Sequence, residues 1–394
     1  MSGVFSSCMV SCYHPREDTR MRVWFLARNH LPFSPSSIHR RQVGGGEIAL
    51  YYVAKGLAGL GHDVAVINRC GPEAGSYDGV LYYDAAASPS QWQAAARSQP
   101  PDVLVVCRRM LDVLARVPAR SKVFWAHDSQ GVPMQAPRTG TGRRLAIGWG
   151  RTTGPWFHQR VDRIFVISRY LADVFRWLFR APADKLVVIP VGIELDLFSG
   201  PPRPRVPLRF IHTSVPDRGL VHLLREVFPP LRHSLPASEL HVYSYRPLDP
   251  YTRYSTPGVH FHGWVPKPEL VRALGESTLM LYPANAEEMG CIAVLESMAA
   301  GTPAVTSSLG VLPELAGDGS CGVVVEGWPG TREFSGRYVE ATMNLLADPD
   351  RLERMRVAAR EYAITRHNWE AIAVRWQEML RATLQDMKSG RQVR

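Results

Sequence analysis

Glu288 and Glu296 stand with seven residues between them in the chemically densest stretch of the chain, Tyr282-Pro-Ala-Asn-Ala-Glu-Glu-Met-Gly-Cys-Ile-Ala-Val-Leu-Glu-Ser-Met-Ala-Ala-Gly-Thr-Pro-Ala-Val305. The pattern reads as a strand end, an acidic loop, a helix start and a Gly-Thr-Pro stop. Ile292, Leu295, Met298 and Ala299 form one apolar helical face, Gly301 caps the last turn, and Pro303 prevents continuation. Glu296 interrupts that face, where a carboxylate is costly without donors, and the two hydroxyls of a ribose are suitable donors. Glu288, in the loop before the helix, can accept from sugar hydroxyls. The helix start at Gly290, Cys291 and Ile292 offers unpaired amides and a partial positive charge, so a diphosphate can rest there without a metal ion.

Arg218, in Ser214-Val-Pro-Asp-Arg218-Gly219, can add bidentate hydrogen bonds to phosphate. Gly44, Gly45 and Gly46 precede a helix. Such a cluster is more often a mere turn, yet a flexible backbone and a helix amino end also suit a phosphate or a sugar. His127, in Trp125-Ala-His127-Asp128, closes a strand, where a lone histidine is more often a satisfied structural residue. Asp348-Pro-Asp350 lies between helical patterns and reads as a capping turn. With no Asp-x-Asp at a strand end, no metal and no other cofactor is expected.

Residues of this kind need strand ends to hold them. Short apolar runs alternate with longer helical patterns, which argues for parallel βα units. In the first half, strands are expected at 22–27, 63–68, 102–107, 122–126, 163–167 and 186–190, with helices at 46–60 and from Ser168 to about Phe179. Four prolines in Ser199-Gly-Pro-Pro-Arg-Pro-Arg-Val-Pro207 exclude helix interior and central strand, marking a boundary. The second half restarts with strands at 208–213, 239–243, 259–262, 278–282, 303–306 and 322–325. Helices are expected at 219–227, from about Pro268, and at 291–300, 335–347 and 350–364, followed by a last amphipathic helix from Trp369 to about Leu384. The expected organisation is a disordered or mis-assigned tail at 1–20, one Rossmann-like domain at 21–198, a linker at 199–207, a second Rossmann-like domain at 208–365, and a crossing helix with tail at 366–394. Two doubly wound parallel sheets facing each other direct the carboxyl ends of both sets of strands into one cleft.

With 394 residues the chain exceeds what one core usually serves, and 45% hydrophobic against 21% charged residues is globular rather than disordered composition. The six cysteines show no paired metal spacing and read as reduced thiols, which fits a cytoplasmic setting. No apolar run approaches the ~20 residues needed to span a bilayer. A formal charge of +10 favours an anionic partner: a nucleotide diphosphate, an anionic membrane surface or nucleic acid. Much of the surplus lies in Arg143, Arg144, Arg151, Arg160, Arg163, Arg169, Arg176 and Arg180, interleaved with Trp149, Trp156, Phe157, Phe175, Trp177 and Phe179. This is either a solvated face over a core stripe or a basic aromatic surface for acidic lipid headgroups at the inner face of the membrane. Zinc spacing, an aromatic single-strand pattern and a recognition helix are all lacking, so no specific nucleic acid is expected.

The segment from Tyr282 to Val305 resembles the signature of the family 4 glycosyltransferases, which have the two-domain GT-B fold and retain anomeric configuration. The match extends with gaps from about Met21 to Leu384, its most specific parts lying between Gly263 and Glu314. The resemblance implies that Glu288 contacts the donor sugar and Glu296 holds the nucleotide ribose. By the same resemblance His127 meets a sugar hydroxyl and Arg218 neutralises the donor phosphates. Gly44 to Gly46 resembles the glycine-rich turn beside the diphosphate and the acceptor entrance. Gly263-Trp-Val265 resembles the segment against which the base packs, and Gly310-Val-Leu-Pro-Glu314 the glycine turn and glutamate after the diphosphate loop. The helix opened by Trp369 resembles the terminal helix that crosses back to the first domain.

Two positions depart from the family pattern. Cys291 stands where glycine is common, and Thr213 where a second arginine is common, with Arg246 as a replacement charge. The expected function is retaining, metal-independent transfer of a hexose-type sugar from a nucleotide diphosphate to an unidentified glycan, lipid-linked or small-molecule acceptor. The alternatives are an inverting transferase or nucleotide-sugar epimerase on the same fold, with a carboxylate or His127 as base, and a catalytically degenerate sugar-nucleotide binder.

Overall fold

The computed structural model describes residues 20–28, 31–38, 43–86, 89–130, 141–200 and 203–392. The expected tail at 1–20 therefore lies outside the described residues except for Arg20, as do 201–202 of the linker and the last two residues of the chain.

The first sheet has eight strands: β1 (Arg22–Leu26), β2 (Asp63–Asn68), β3 (Gly75–Tyr77), β4 (Val80–Asp84), β5 (Val103–Cys107), β6 (Ser121–Ala126), β7 (Arg163–Val166) and β8 (Leu186–Val188). Their spatial order is β3-β4-β2-β1-β5-β6-β7-β8. All neighbours pair in parallel except β3 with β4, which form an antiparallel hairpin. All five residues of β5 are buried, as a parallel strand covered on both faces requires. The helices of this half are α1 (Gly45–Gly59), α2 (Pro89–Ser98), α3 (Thr141–His158) and α4 (Arg169–Leu178). Ser168 caps α4, its hydroxyl accepting from the Leu171 amide.

The second sheet is parallel throughout. It comprises β9 (Arg209–Thr213), β10 (Glu239–Tyr243), β11 (Val259–Gly263), β12 (Leu279–Tyr282), β13 (Ala304–Ser307) and β14 (Gly322–Val325), ordered β11-β10-β9-β12-β13-β14. Its first helix runs from α5 (Leu220–His222) through a π turn at Leu223–Val227 into α6 (Phe228–Ser234). The expected helix ended at 227. Pro229 and Pro230 have no amide to continue the ladder, so the chain rewinds through a wider turn and goes on. There follow α7 (Lys267–Glu276), α8 (Ile292–Ala299), α9 (Leu312–Ala316), α10 (Arg332–Leu346), α11 (Pro349–Arg366) and α12 (Trp369–Gln392).

These are two doubly wound domains of the GT-B architecture. The segment between them is anchored: the Arg205 guanidinium donates to the Ser277 carbonyl and to Thr302 Oγ1, each at 3.0 Å. The last helix returns to the first domain. Trp376 on α12 is buried against Trp125, Phe165 and Phe25, with ring centroids 4.7, 4.9 and 5.9 Å away. Trp369 stacks on Tyr52 of α1 at 5.5 Å, and His62 meets Gln377 at 2.9 Å.

Sequence reasoning leaves β3, β4, α2, α3 and the short α9 unplaced. The hairpin carried a readable signal, since Asp78-Gly79 supplies the two positive φ values, 49° and 76°, that a tight primed turn needs. Helix α3 was obscured by Gly148, Gly150, Gly154 and Pro155, poor helix formers. Gly150 and Gly154 are there for packing: a Cβ on Gly154 would lie 1.9 Å from the Phe179 carbonyl oxygen.

Candidate active site

Two glycines bring Arg218 and Glu288 together from separate strand ends. Gly219 (φ 91°) follows Arg218 in the turn after β9, and a Cβ there would lie 2.0 Å from the Pro283 oxygen beyond β12. Gly310 (φ 68°) lies against Glu288 in an isolated parallel bridge, where a Cβ would sit 2.0 Å from the Glu288 oxygen. Larger residues would push both backbones apart. Arg218 Nε consequently lies 3.4 Å from Glu288 Oε1, and the Tyr282 hydroxyl donates to the same oxygen at 2.7 Å. The Glu288 charge holds the Arg218 guanidinium above its ordinary pKa, outweighing the opposing effect of burial.

Helix α8 begins beside them. Its N-cap, Cys291, has φ 35° and ψ 66°, a left-handed conformation that is strained for any residue with a Cβ. Glycine adopts it freely, which explains in physical terms why a glycine would suit this position. Burial and the neighbouring Glu288 charge push the Cys291 thiol well up, so it stays protonated. Further along α8, Glu296 is buried and its carboxylate is paired with the Lys267 ammonium at the start of α7. Burial raises the Glu296 pKa while the Lys267 charge opposes that rise.

The first domain supplies the opposite wall. Gly45 and Gly46 open α1, and a Cβ on Gly45 would meet Ile292 Cδ1 at 3.2 Å across the cleft. His127 follows β6, its ring packed edge-on to Trp125 at 4.2 Å. Arg108, with φ 63°, follows β5 and reaches toward Asp128 (3.4 Å) and the buried Glu47 (3.7 Å). Between the walls is a cavity of about 860 Å³. It is lined by Gly45, Gly46, His127, Arg218, Gly263, Val265, Glu288, Gly290, Cys291, Ile292 and Glu296, all expected from the sequence, from both domains.

Four expected residues lie elsewhere. Gly44 is not in the cavity lining, and a Cβ there would meet the Glu47 carboxylate at 2.6 Å. Gly310 supports the Glu288 backbone rather than facing the cavity. Glu314 accepts hydrogen bonds from the backbone amides of Arg169 and Tyr170, so it caps α4 of the first domain from the second. Arg246 does not take the place of the missing arginine in the cavity lining: it is 3.1 Å from Asp217 and more than half exposed. Thr213 does line the cavity, with its hydroxyl oxygen buried and unpartnered among the described residues.

The sequence reading missed Arg108, Arg109, Lys267 and Tyr282, which also line the cavity. The arginines had a usable signal, because both directly follow an apolar strand run, where ligands of such sheets bind. Lys267 had none, since its value depends on α7 lying against α8.

Two family models match the chain: Glycosyltransferase Family 4 over residues 43–197 and Glycosyl transferases group 1 over residues 209–348. The chain is 35% identical over 118 residues to an alpha-maltose-1-phosphate synthase of Mycolicibacterium smegmatis, a match covering 30% of each chain, so less than a third of that relative's length is spanned. It is 27% identical over 263 residues to the GDP-mannose-dependent alpha-(1-6)-phosphatidylinositol monomannoside mannosyltransferase of the same organism, covering 59% of this chain and 67% of the relative. Among solved structures, the Anabaena protein HepE in complex with UDP-glucose superimposes with a TM-score of 0.67 at 16% identity, covering 92% of this chain and all of that one.

Proposed function

The chain belongs to glycosyltransferase family 4, and from that premise we propose that it moves a hexose-type sugar from a nucleoside diphosphate to an acceptor hydroxyl with retention of configuration and without a metal ion. The observation that carries this reading is the convergence of Arg218, Glu288, Glu296 and the amino end of α8 on one cavity between two domains.

The first amides of α8 have no carbonyl of their own helix to meet, and they face a cavity also lined by Arg218, Arg108, Arg109 and Lys267. A diphosphate between them gains hydrogen bonds and positive potential that strengthen as the bond to the anomeric carbon breaks. That bond breaks while the acceptor oxygen bonds to the same face of the sugar, and the acceptor proton passes to the departing phosphate oxygen. Glu288, fixed by Arg218 and Tyr282, orients the sugar hydroxyls with His127 opposite. Glu296 accepts from the ribose beside Lys267, and Gly263 to Val265 flank the base. The relatives support nucleotide-sugar donors in general, one named for GDP-mannose and one structure holding UDP-glucose.

A peripheral contact with an anionic membrane is supported by the outer face of α3 and α4. Trp149 and Trp177 are exposed there, Arg151 lies 4.7 Å over the Trp177 ring, and Arg176 and Arg180 border the same shallow groove. Among the described residues no helix is long and apolar enough to cross a membrane.

The test is a screen of UDP-, GDP-, ADP- and TDP-sugars for thermal stabilisation and slow hydrolysis, followed by proton NMR of the product linkage. One donor that stabilises the protein and yields a retained linkage is the expected result. An inverted linkage overturns the mechanism, and indifference to every nucleotide sugar overturns the function.

A further inference from the structure

The outer edge of the second sheet carries a group of side chains that the transfer chemistry does not use. Strands β10 and β11 pair in parallel with His241 opposite His260. Alternation along each strand puts Glu239 and His262 on the same face. His241 Nε2 lies 3.2 Å from Glu239 Oε2, and His260 Nε2 lies 3.8 Å from Glu239 Oε1. One ligating atom from each of Glu239, His241 and His260 falls within 4.8 Å of the other two. His241 Nδ1 is 2.9 Å from His262 Nε2, and the His262 ring stacks on Tyr243 at 4.4 Å.

We propose that Glu239, His241 and His260 form a binding site for a zinc-class divalent cation that fastens edge strand β11 to β10, separate from the transfer cavity. Imidazole with one carboxylate suits zinc, nickel, copper or cobalt, whereas magnesium and calcium take oxygen ligands. With the cation on Nε2 of His241, the ring proton resides on Nδ1 and is donated to His262, the outer-shell bond that usually orients a ligating histidine. Arg209, the nearest competing cation, lies 3.3 Å from Glu276 and 3.8 Å from Glu239, so the bound ion shares Glu239 with it only at longer range. Tetrahedral ligands of zinc lie roughly 3.4 Å apart, given bonds of about 2.0–2.1 Å. Rotation of the half-exposed His260 side chain closes the remaining gap.

The experiment titrates the untagged, chelator-stripped full chain with Co2+ and then Zn2+, following the visible absorption of bound cobalt and its displacement. One saturable equivalent, not displaced by excess Mg2+, is expected. His260→Gln and Glu239→Gln should each weaken it at least ~10-fold while leaving thermal unfolding of the metal-free protein unchanged. Absence of saturable cobalt binding overturns the proposal, as does equal affinity in the double variant.

Discussion

The Arg218 guanidinium and the Glu288 carboxylate lie 3.4 Å apart, and the Tyr282 hydroxyl fastens the same carboxylate oxygen from behind at 2.7 Å. Each charge compensates the other before any donor arrives. A donor with a negative diphosphate and a neutral sugar can use both, its phosphates turning toward the arginine and its hydroxyls toward the carboxylate.

Arg218→Ala is therefore expected to lower kcat by about 10²–10³-fold, the usual cost of losing one preorganised donor to developing charge. Nucleoside affinity should change only a few-fold. Steady-state kinetics beside calorimetric titration with the free nucleoside separates the two, and parental turnover would remove Arg218 from the mechanism.

Glu296→Gln bears on the pentose instead. Loss of the charged acceptor should raise the nucleotide Kd by about 10-fold or more, from the ~1.5–3 kcal/mol typical of hydrogen bonds to charged groups. Titration with the intact nucleotide and with its 2′-deoxy form checks the site, because the variant should discriminate between them less than the parent does. Unchanged discrimination would put the ribose elsewhere.

At Cys291 the backbone is the target. Glycine relieves left-handed strain of about 1–2 kcal/mol, which offsets the loss of the small buried thiol, so Cys291→Gly should melt within a few degrees of the parent and still transfer sugar. Cys291→Val adds β-branching at φ 35° and should destabilise by about 2 kcal/mol or more. Equal melting of the two variants would show that the conformation carries no such cost.

His212 governs part of the acid response. It is fully buried, its Nδ1 3.0 Å from the Leu281 oxygen, and burial lowers its pKa to about 4. The unfolded chain, with an ordinary histidine near 6.5, binds the proton first. Stability is therefore full above about pH 6.5 and falls as pH drops from there toward 4, by up to about 3 kcal/mol from this residue. Melting curves across that window should show a shallower decline for His212→Asn, whose amide can reach the same carbonyl. An identical pH slope would exclude the histidine as the cause.

The legible part of the site was the part written in local sequence. Residues 288–296 declare a loop, a helix start and an interrupted apolar face; Glu288, Gly290, Cys291 and Glu296 line the cavity, while Ile292, read as part of the inward face, turns to the cavity as well. Gly310 and Glu314 had equally local motifs but are used for support: one leaves room for the Glu288 backbone and the other caps a helix of the opposite domain. No run of sequence reveals that Glu314 ends up beside Arg169, because the contact joins residues 145 positions apart. Lys267 was hidden for the same reason, its partner Glu296 lying on another helix. Arg108 was readable from its place after β5 and was passed over for want of a motif. In the fold, regular parallel strands announced themselves through unbroken apolar runs, whereas α3 was disguised by glycines retained for close packing.

Trp376 fills the middle of the first domain although it lies beyond the last strand of the second. Without that ring the first sheet would keep a hollow among Phe25, Trp125 and Phe165. The first domain is thus completed by a plug that its own stretch of sequence does not encode, so the amino-terminal half cut free of the rest would lack the centre of its core.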